Sequence, residues 1–182
     1  MILFFGPPGS GKSVQGQLLV DRNGWQWLST GDLFRNSKDS ELLKRLATGE
    51  LIDDELTNKV LDAAIQDVKS DAPIVLDGYP RNLDQVKWLV DYLPAHGRKI
   101  ECVIIFDVPR EELVSRLSGR GRAEDSPEVI SRRLDIYQEK TKPVVDYYRE
   151  SGVPVMTVDG TGAIPEVHER IHGAVMSCLK GK

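Results

Sequence analysis

A glycine-rich segment near the start of the chain has the residue types needed to hold a phosphate. Residues 6–13 read Gly-Pro-Pro-Gly-Ser-Gly-Lys-Ser, which matches the pattern G-x-x-x-x-G-K-[ST] between a hydrophobic run and a segment with helical periodicity. In this pattern backbone N–H groups and a helix N-terminus surround a phosphate, the lysine reaches the β- and γ-phosphates, and the hydroxyl can bind Mg²⁺. A plain glycine-rich turn is the alternative, but the complete motif predicts a nucleotide site around Lys12 and Ser13.

A second polar segment follows the hydrophobic run that ends at Leu76. Residues 77–81 read Asp-Gly-Tyr-Pro-Arg. Because a carboxylate at the end of a buried strand can hold Mg²⁺ through water, Asp77 is a candidate metal residue. Gly78 allows a ligand to approach the backbone, and Arg81 offers a two-pronged donor for phosphate. The alternative is an ordinary turn at a strand end with a solvated arginine.

Two further groups of residues could bind phosphate, although each also has a simple structural explanation. The segment 29–35 contains Thr30 and Arg35, and it also reads as a helix N-terminus with an acid in the first turn. Later in the chain four arginines recur, as they often do on a solvated face: Arg116, Arg120, Arg122 and Arg133. Neither group establishes a site by itself.

The hydrophobic pattern predicts the elements that must position these residues. Short apolar runs rich in Ile, Val and Phe predict strands buried on both faces, as in a parallel sheet. These runs are Ile2–Phe5, Pro73–Leu76, Ile100–Phe106 and Val153–Val158, with a weaker one at Trp27-Leu28. Segments with helical periodicity alternate with them, namely Lys12–Val20, Asp53–Val68, Leu83–Tyr92, Pro109–Leu117, Pro127–Arg149 and Pro165–Leu179. The alternation predicts a doubly wound α/β domain.

Two segments exceed a minimal alternation of strands and helices. Residues 29–58 are mostly helical in pattern, and residues 118–126 form a hairpin-like link rich in glycine and arginine. We expect both to form mobile flaps at the carboxyl ends of the strands, where binding loops lie in open α/β sheets. No repeat or interdomain linker divides the chain, so a single domain is expected.

The overall composition limits the classes of partner. The 182 residues include 24 basic and 28 acidic side chains, and the net charge of −4 argues against a broadly basic nucleic-acid surface. No apolar run approaches the roughly 20 residues of a membrane span, and the first residues lack the basic flank of a secretion signal. Cys102 and Cys178 lie far apart in apolar segments, so we expect reduced, buried thiols in a cytoplasmic protein. No interface signature is visible, and a monomer is the default expectation.

Taken together and in this order, the motifs resemble those of the adenylate kinases, a family of nucleoside monophosphate kinases, along nearly the whole chain. The matching segments are residues 6–12, 29–35, 49–56, 76–81 with Gln85, 116–120, Arg122 with Arg133, and 158–161. The resemblance implies a P-loop NTPase-type, doubly wound, five-stranded parallel sheet with helices on both faces. It also implies a monophosphate-binding flap at 30–58 and a short lid at 119–130, inserted in a kinase core of residues 1–29, 59–118 and 131–182.

The resemblance further implies roles for individual residues. ATP would be held by Gly9, Ser10, Gly11, Lys12, Ser13, Val14, Arg116, Arg120 and Gly162, and Mg²⁺ by Ser13 and, through water, Asp77. AMP would be surrounded by Thr30, Arg35, Glu50, Leu51, Ile52, Gly78, Arg81, Gln85, Arg122 and Arg133. The residues implied in catalysis are Lys12, Arg81, Arg120, Arg122 and Arg133. The chain departs from the family at Ser13-Val14, where Gly-Thr is usual, and its lid has no Cys or His to bind zinc.

Gln85 bears on the choice of phosphate acceptor. A side-chain amide can satisfy both a donor and an acceptor on adenine, whereas related pyrimidine kinases tend to have Asn there. A capping box with Asn82 as N-cap is the alternative role for Gln85. The resemblance implies reversible transfer of the γ-phosphoryl group of ATP to AMP, giving two ADP, in adenine nucleotide homeostasis. A UMP or CMP kinase is the alternative, followed by a P-loop ATPase or a nucleotide-sensing module.

Overall fold

A parallel sheet of five strands lies at the centre of the computed structural model, which describes residues 1–68 and 71–180. The strands are β1 (Ile2–Phe5), β2 (Gln26–Ser29), β3 (Ile74–Asp77), β4 (Cys102–Asp107) and β5 (Val155–Asp159). They lie in the order β2-β3-β1-β4-β5, and every neighbouring pair is parallel. The predicted doubly wound α/β fold is confirmed. Residues 69–70 and 181–182 of the predicted kinase core lie outside the described residues.

Nine α-helices occur within residues 1–68 and 71–180. They are α1 (Lys12–Asn23), α2 (Thr30–Arg35), α3 (Ser40–Ala47), α4 (Asp54–Gln66), α5 (Leu83–Ala95), α6 (Arg110–Ser118), α7 (Pro127–Ile136), α8 (Lys142–Glu150) and α9 (Ile164–Lys180). The helical segment predicted over Pro127–Arg149 is continuous in the structure, but a π-helical turn over Tyr137–Thr141 interrupts the α-helical hydrogen-bond pattern between α7 and α8. Pro143 explains the interruption, since proline cannot donate a hydrogen bond and its ring would clash with the carbonyl four residues earlier.

The helices cover both faces of the sheet, because alternate residues of each strand point to opposite sides. Leu3 and Phe5 of β1 pack with buried residues of α4, α5 and α8. Ile2 and Phe4 pack on the other face with residues of α1 and α9. The central strands β1, β3 and β4 are buried on both faces, as predicted.

The edge strands are less buried than the sequence predicted. Met156 and Thr157 of β5 are exposed, and Gln26 of β2 is exposed as well. The expectation that Val153–Val158 would be buried on both faces is therefore wrong. β5 pairs with β4 on one side only, so α9 and its neighbours cover just part of it.

The two cysteines are paired, contrary to the expectation of separate reduced thiols. Cys102 of β4 and Cys178 of α9 form a disulfide, with their Cα atoms 5.9 Å apart, and both are buried. They are 76 residues apart in the chain and meet because α9 packs back onto the sheet beside β4. Because they are so far apart in the sequence, no local pattern indicated that the two cysteines would meet.

The two predicted flaps stand over the carboxyl edge of the sheet. The first contains α2 and α3 and has a small core of its own, formed by Phe34, Leu42 and Ile52. The second, the segment 119–126 before α7, consists of turns and has no strand among its described residues, so it is not a hairpin. No helix in the described part of the chain is long and apolar enough to cross a membrane.

Candidate active site

A cleft of about 440 Å³ opens between the carboxyl ends of the strands and the two flaps. Sixteen of the residues predicted from the sequence line it, and they come from every part of the chain: Gly9, Ser10, Gly11, Lys12, Ser13, Val14, Arg35, Leu51, Asp77, Gly78, Arg81, Arg116, Arg120, Arg122, Arg133 and Gly162. Four predicted residues do not line the cleft, namely Thr30, Glu50, Ile52 and Gln85. The fold thus brings most of the predicted site into one place.

The loop from Gly6 to Ser13 joins β1 to α1 and forms the floor of the cleft. Gly9 has φ +85°, and a Cβ there would lie 2.9 Å from Leu117 Cγ, so only glycine fits. No side chain among the described residues caps the N-terminus of α1, so its first N–H groups are available to an anion. Val14, which stands where the family that the chain resembles usually has Thr, is half exposed.

Lys12 lies folded against its own loop. Its Nζ donates to the carbonyl oxygens of Gly6 at 2.7 Å and Pro7 at 3.0 Å. The pKa of Lys12 is lowered to about 8, chiefly by burial; Asp77 opposes this shift and nearby arginines add to it. Asp77 is the acidic group that acts on this ammonium, so an anion bound in the loop would face little competition for the positive charge of Lys12.

Asp77 ends β3 beside this loop and is buried, with 7% of its surface exposed. The Ser29 hydroxyl lies 3.5 Å from its Oδ2, at the limit of a hydrogen bond. Its Oδ1 is buried and has no hydrogen-bond partner among the described residues. A buried carboxylate oxygen without a partner fits a hydrated cation, and Ser13 lines the same cleft.

The arginines predicted from the sequence converge over the cleft. Arg81 is half-buried and donates from Nε to the Gly78 carbonyl at 2.7 Å, and desolvation of its guanidinium lowers its pKa. Burial and the proximity of Arg120 together lower the pKa of Arg133 to about 10. Bringing these guanidinium groups together costs free energy because their positive charges repel each other, and anions in the cleft would reduce this repulsion. The arrangement suits phosphate groups.

Two lid carboxylates, which the sequence reasoning missed, partly neutralise these arginines. Asp125 accepts from Arg120 Nε at 2.9 Å and Nη2 at 2.5 Å, and Glu124 accepts from Arg35 at 3.4 Å. Both carboxylates are almost fully buried. Although burial alone would raise it, the hydrogen bond from Arg120 holds the pKa of Asp125 below its ordinary value. The acidic pair Glu124-Asp125 within the arginine-rich segment 118–126 could have indicated these ion pairs from the sequence.

Arg116 lies at the opposite end of the cleft, on α6. Its guanidinium pairs with Glu112 and donates to the Gly160 carbonyl at 2.9 Å. These contacts place it against the loop that follows β5 and contains Gly162. A planar guanidinium held in this way can stack on an aromatic base.

Residues of the first flap surround the other end of the cleft. Thr30 is buried and its hydroxyl donates to the Gly78 carbonyl at 2.9 Å. Gly78 has φ +79°, and a Cβ there would lie 2.7 Å from the Thr30 hydroxyl. Arg35 is held by Asp32 at 2.6 Å. Glu50 is exposed on the flap, 3.9 Å from Arg132.

Gln85 is buried behind this end of the cleft, with 2% of its surface exposed. Asn82 caps α5 by accepting from the Gln85 N–H at 2.9 Å. The capping box is only half formed, because the Gln85 side chain accepts from the N–H of Arg81 rather than that of Asn82. Its amide nitrogen donates to Asp54 at 2.7 Å.

Comparisons with known proteins agree with this geometry. The sequence profile described as "Adenylate kinase" matches residues 4–153. The chain is 39% identical over 180 residues to an adenylate kinase of Mycobacteroides abscessus, and equally to one of Mycolicibacterium smegmatis, covering 96% of this chain and 98% of each relative. It is 40% identical over 186 residues to an adenylate kinase of Micrococcus luteus, covering 97% of this chain and 90% of the relative. With most of the predicted motifs gathered in one cleft and these relatives matching nearly its whole length, the chain belongs to the adenylate kinase family.

Proposed function

We propose that the cleft transfers the γ-phosphoryl group of MgATP reversibly to AMP, giving two ADP. Membership of the family makes the chain a nucleoside monophosphate kinase, and the comparisons do not favour a pyrimidine kinase or a sensor without a phosphate acceptor. The observation that carries the proposal is the convergence of Lys12 with five arginines on a single cleft: Arg35, Arg81, Arg120, Arg122 and Arg133.

The donor nucleotide would occupy the loop side of the cleft. The backbone of residues 9–13 and the N-terminus of α1 would bind its phosphates, with Lys12 and Arg120 adding charge. Arg116 would stack on the base, with Gly162 and Val14 beside it. Ser13 and Asp77 would hold Mg²⁺, the latter through water, because Asp77 Oδ1 is buried without a partner in the described chain. When bound, the ion would neutralise charge that develops on the transferred phosphoryl group.

The acceptor would lie under the first flap. Arg35 and Arg81 would bind its phosphate, with Thr30 and Gly78 shaping the wall behind it. The backbone of residues 50–52 would close over the nucleoside, and Gln85 would contact the base. Arg122 and Arg133 would lie between the two nucleotides, where the transferring group passes.

Phosphoryl transfer to a phosphate depends on charge neutralisation and on alignment of the reactants more than on a general base. ATP and AMP together bring about −6 and Mg²⁺ about +2, taking the second phosphate pKa as near 6. The acceptor phosphate is already ionised, so no side chain needs to remove a proton from it. The cations neutralise the excess and align the reactants, and the lid excludes water that would otherwise accept the phosphoryl group.

The assembly and location of the protein belong to the same proposal. Every residue assigned above comes from one chain, which supports a monomer with a kinase core and two insertions, 30–58 and 119–130. Its substrates are abundant in the cytoplasm, where we place it, and burial of the Cys102–Cys178 disulfide would shield it from reductants there. Light scattering and cell fractionation would test these two statements.

The deciding experiment supplies MgATP with each of AMP, GMP, CMP and UMP and quantifies the diphosphates formed. We expect rapid ADP formation with AMP and little turnover with the others. The variant Lys12→Met should fold normally and be nearly inactive. Equal turnover with a pyrimidine monophosphate would contradict the assigned acceptor, and normal turnover by Lys12→Met would contradict the assigned mechanism.

A further inference from the structure

We propose that Asp54 is a positioning residue that decides which base the acceptor subsite takes, because it holds the carboxamide of Gln85 in one of two possible orientations. The inference rests on the proposed contact between Gln85 and the base of the monophosphate. It deepens that assignment by naming the residue that sets its hydrogen-bond polarity.

The carboxamide of Gln85 lies between two groups of fixed polarity. Its Nε2 donates to Asp54 Oδ1 at 2.7 Å, and its Oε1 accepts from the backbone N–H of Arg81 at 2.7 Å. A carboxylate can only accept and a backbone N–H can only donate. A rotation of the amide by 180° would set oxygen against oxygen and N–H against N–H. The orientation of this buried amide is therefore determined by chemistry.

Asp54 is itself held in place. It is the first residue of α4, within the first flap, and it is half-buried. The side-chain amide of Asn82 donates to both carboxylate oxygens of Asp54, at 3.0 and 3.1 Å. The side-chain oxygen of Asn82 caps α5 by accepting from the N–H of Gln85. The start of α4, the start of α5 and the Gln85 amide thus form one connected network.

The network leaves one N–H and one oxygen lone pair of Gln85 for a ligand, since Asp54 and the Arg81 N–H are the amide's partners among the described residues. Adenine offers an acceptor at N1 and a donor at its 6-amino group, which this amide can match. Hypoxanthine, the base of IMP, has nearly the same shape but offers N1–H as a donor and O6 as an acceptor. The fixed amide would therefore meet IMP with donor facing donor and acceptor facing acceptor, and mismatched polar groups in a closed site are strongly rejected.

IMP is thus the probe, because it reverses polarity while keeping the size of AMP. In Asp54→Asn the new side chain can donate as well as accept, so only the Arg81 N–H still favours one orientation of the Gln85 amide. We expect the ratio of kcat/KM for IMP to that for AMP to rise about tenfold, the equivalent of one hydrogen bond to a charged group, while KM for ATP stays unchanged. A purely structural role for Asp54 would lower both activities and leave this ratio unchanged.

Asp53→Asn is the matched control. It removes the same charge one residue earlier, but Asp53 caps α4 at the Leu56 N–H, pairs with Arg45 and does not contact Gln85. Its IMP-to-AMP ratio should equal that of the unaltered protein. A folded Asp54→Asn protein with the same ratio would overturn the inference. If Asp54→Asn fails to fold, Asn82→Asp takes its place. It keeps an acceptor for the α5 cap but sets a second carboxylate against Asp54, and the repulsion should move Asp54 away from the Gln85 amide and raise the same ratio. An unchanged ratio there would also overturn the inference.

Gln85→Leu separates this inference from the function on which it rests. If KM for AMP rises in Gln85→Leu and the ratio is unmoved in Asp54→Asn, the base contact stands and the inference about Asp54 falls. If KM for AMP does not change in Gln85→Leu, the proposed base contact is wrong and the inference falls with it.

Discussion

Lys12 should take up a proton when ATP binds. In the free protein burial lowers the pKa of Lys12 from its ordinary 10.5 to about 8. The phosphates of a bound nucleotide would place negative charge beside the ammonium group and return its pKa toward the ordinary value. The charged lysine is then favoured in the complex, so the affinity for ATP must fall as the pH rises through the pKa of the free protein.

The size of the effect follows from these two pKa values. At pH 9 about 10% of the free protein would have Lys12 charged, whereas nearly all of the complex would, so binding takes up about 0.9 proton. At pH 7 the lysine is charged in both states, and uptake is about 0.1 proton. The Kd for ATP should therefore rise about tenfold between pH 7 and pH 9. The phosphates of ATP are fully ionised over most of this range and contribute little.

Isothermal titration calorimetry at pH 9, in two buffers with different heats of ionisation, measures the proton uptake directly. Lys12→Met is the control, and it should bind more weakly, with no proton uptake and a Kd that does not change with pH. A Kd for the unaltered protein that stays constant from pH 7 to pH 9 would refute the reasoning. The same conclusion would follow if Lys12→Met showed the same pH dependence, because the proton would then bind elsewhere.

Three substitutions test other parts of the structure. Arg133→Ala should lower kcat by about 10³-fold or more in a coupled ADP assay, with little change in thermal midpoint, because burial and Arg120 already disfavour its charge; activity within tenfold would contradict this. Gly9→Ala should destabilise the fold by about 1–3 kcal/mol in urea and weaken ATP binding, because its Cβ would meet Leu117; unchanged stability and affinity would argue against this close approach of the loop to α6. Cys178→Ala should lower the free energy of unfolding in urea by about 4 kcal/mol, as expected for a disulfide that spans 76 residues. If the variant and the unaltered protein have the same free energy of unfolding under non-reducing conditions, the disulfide does not form.

The nucleotide-binding loop and the order of the elements could be predicted from the sequence, because both depend on local chemistry. Residues 6–13 are contiguous, and phosphate binding uses their own backbone N–H groups, so spacing alone is informative. The buried strands β1, β3 and β4 were also predictable, because their apolar runs have no polar alternation. Element ends moved by a few residues, and the π-helical turn before Pro143 was missed because the apolar period continues through it.

Contacts between distant segments could not be read from local patterns. Arginine spacing identified Arg120 and Arg133 as candidates, but their approach to Arg81 depends on how the lid, α7 and the turn after β3 pack together. The Cys102–Cys178 disulfide and the contact of Gln85 with Asp54 likewise join residues from different elements. The phosphate-binding chemistry and the fold class could be predicted from the amino-acid sequence, because both depend on residues that are neighbours in the chain. Which charges share the cleft, and which way the Gln85 amide points, became known only from the folded chain, because burial and polarity at each position are set by groups far away along it.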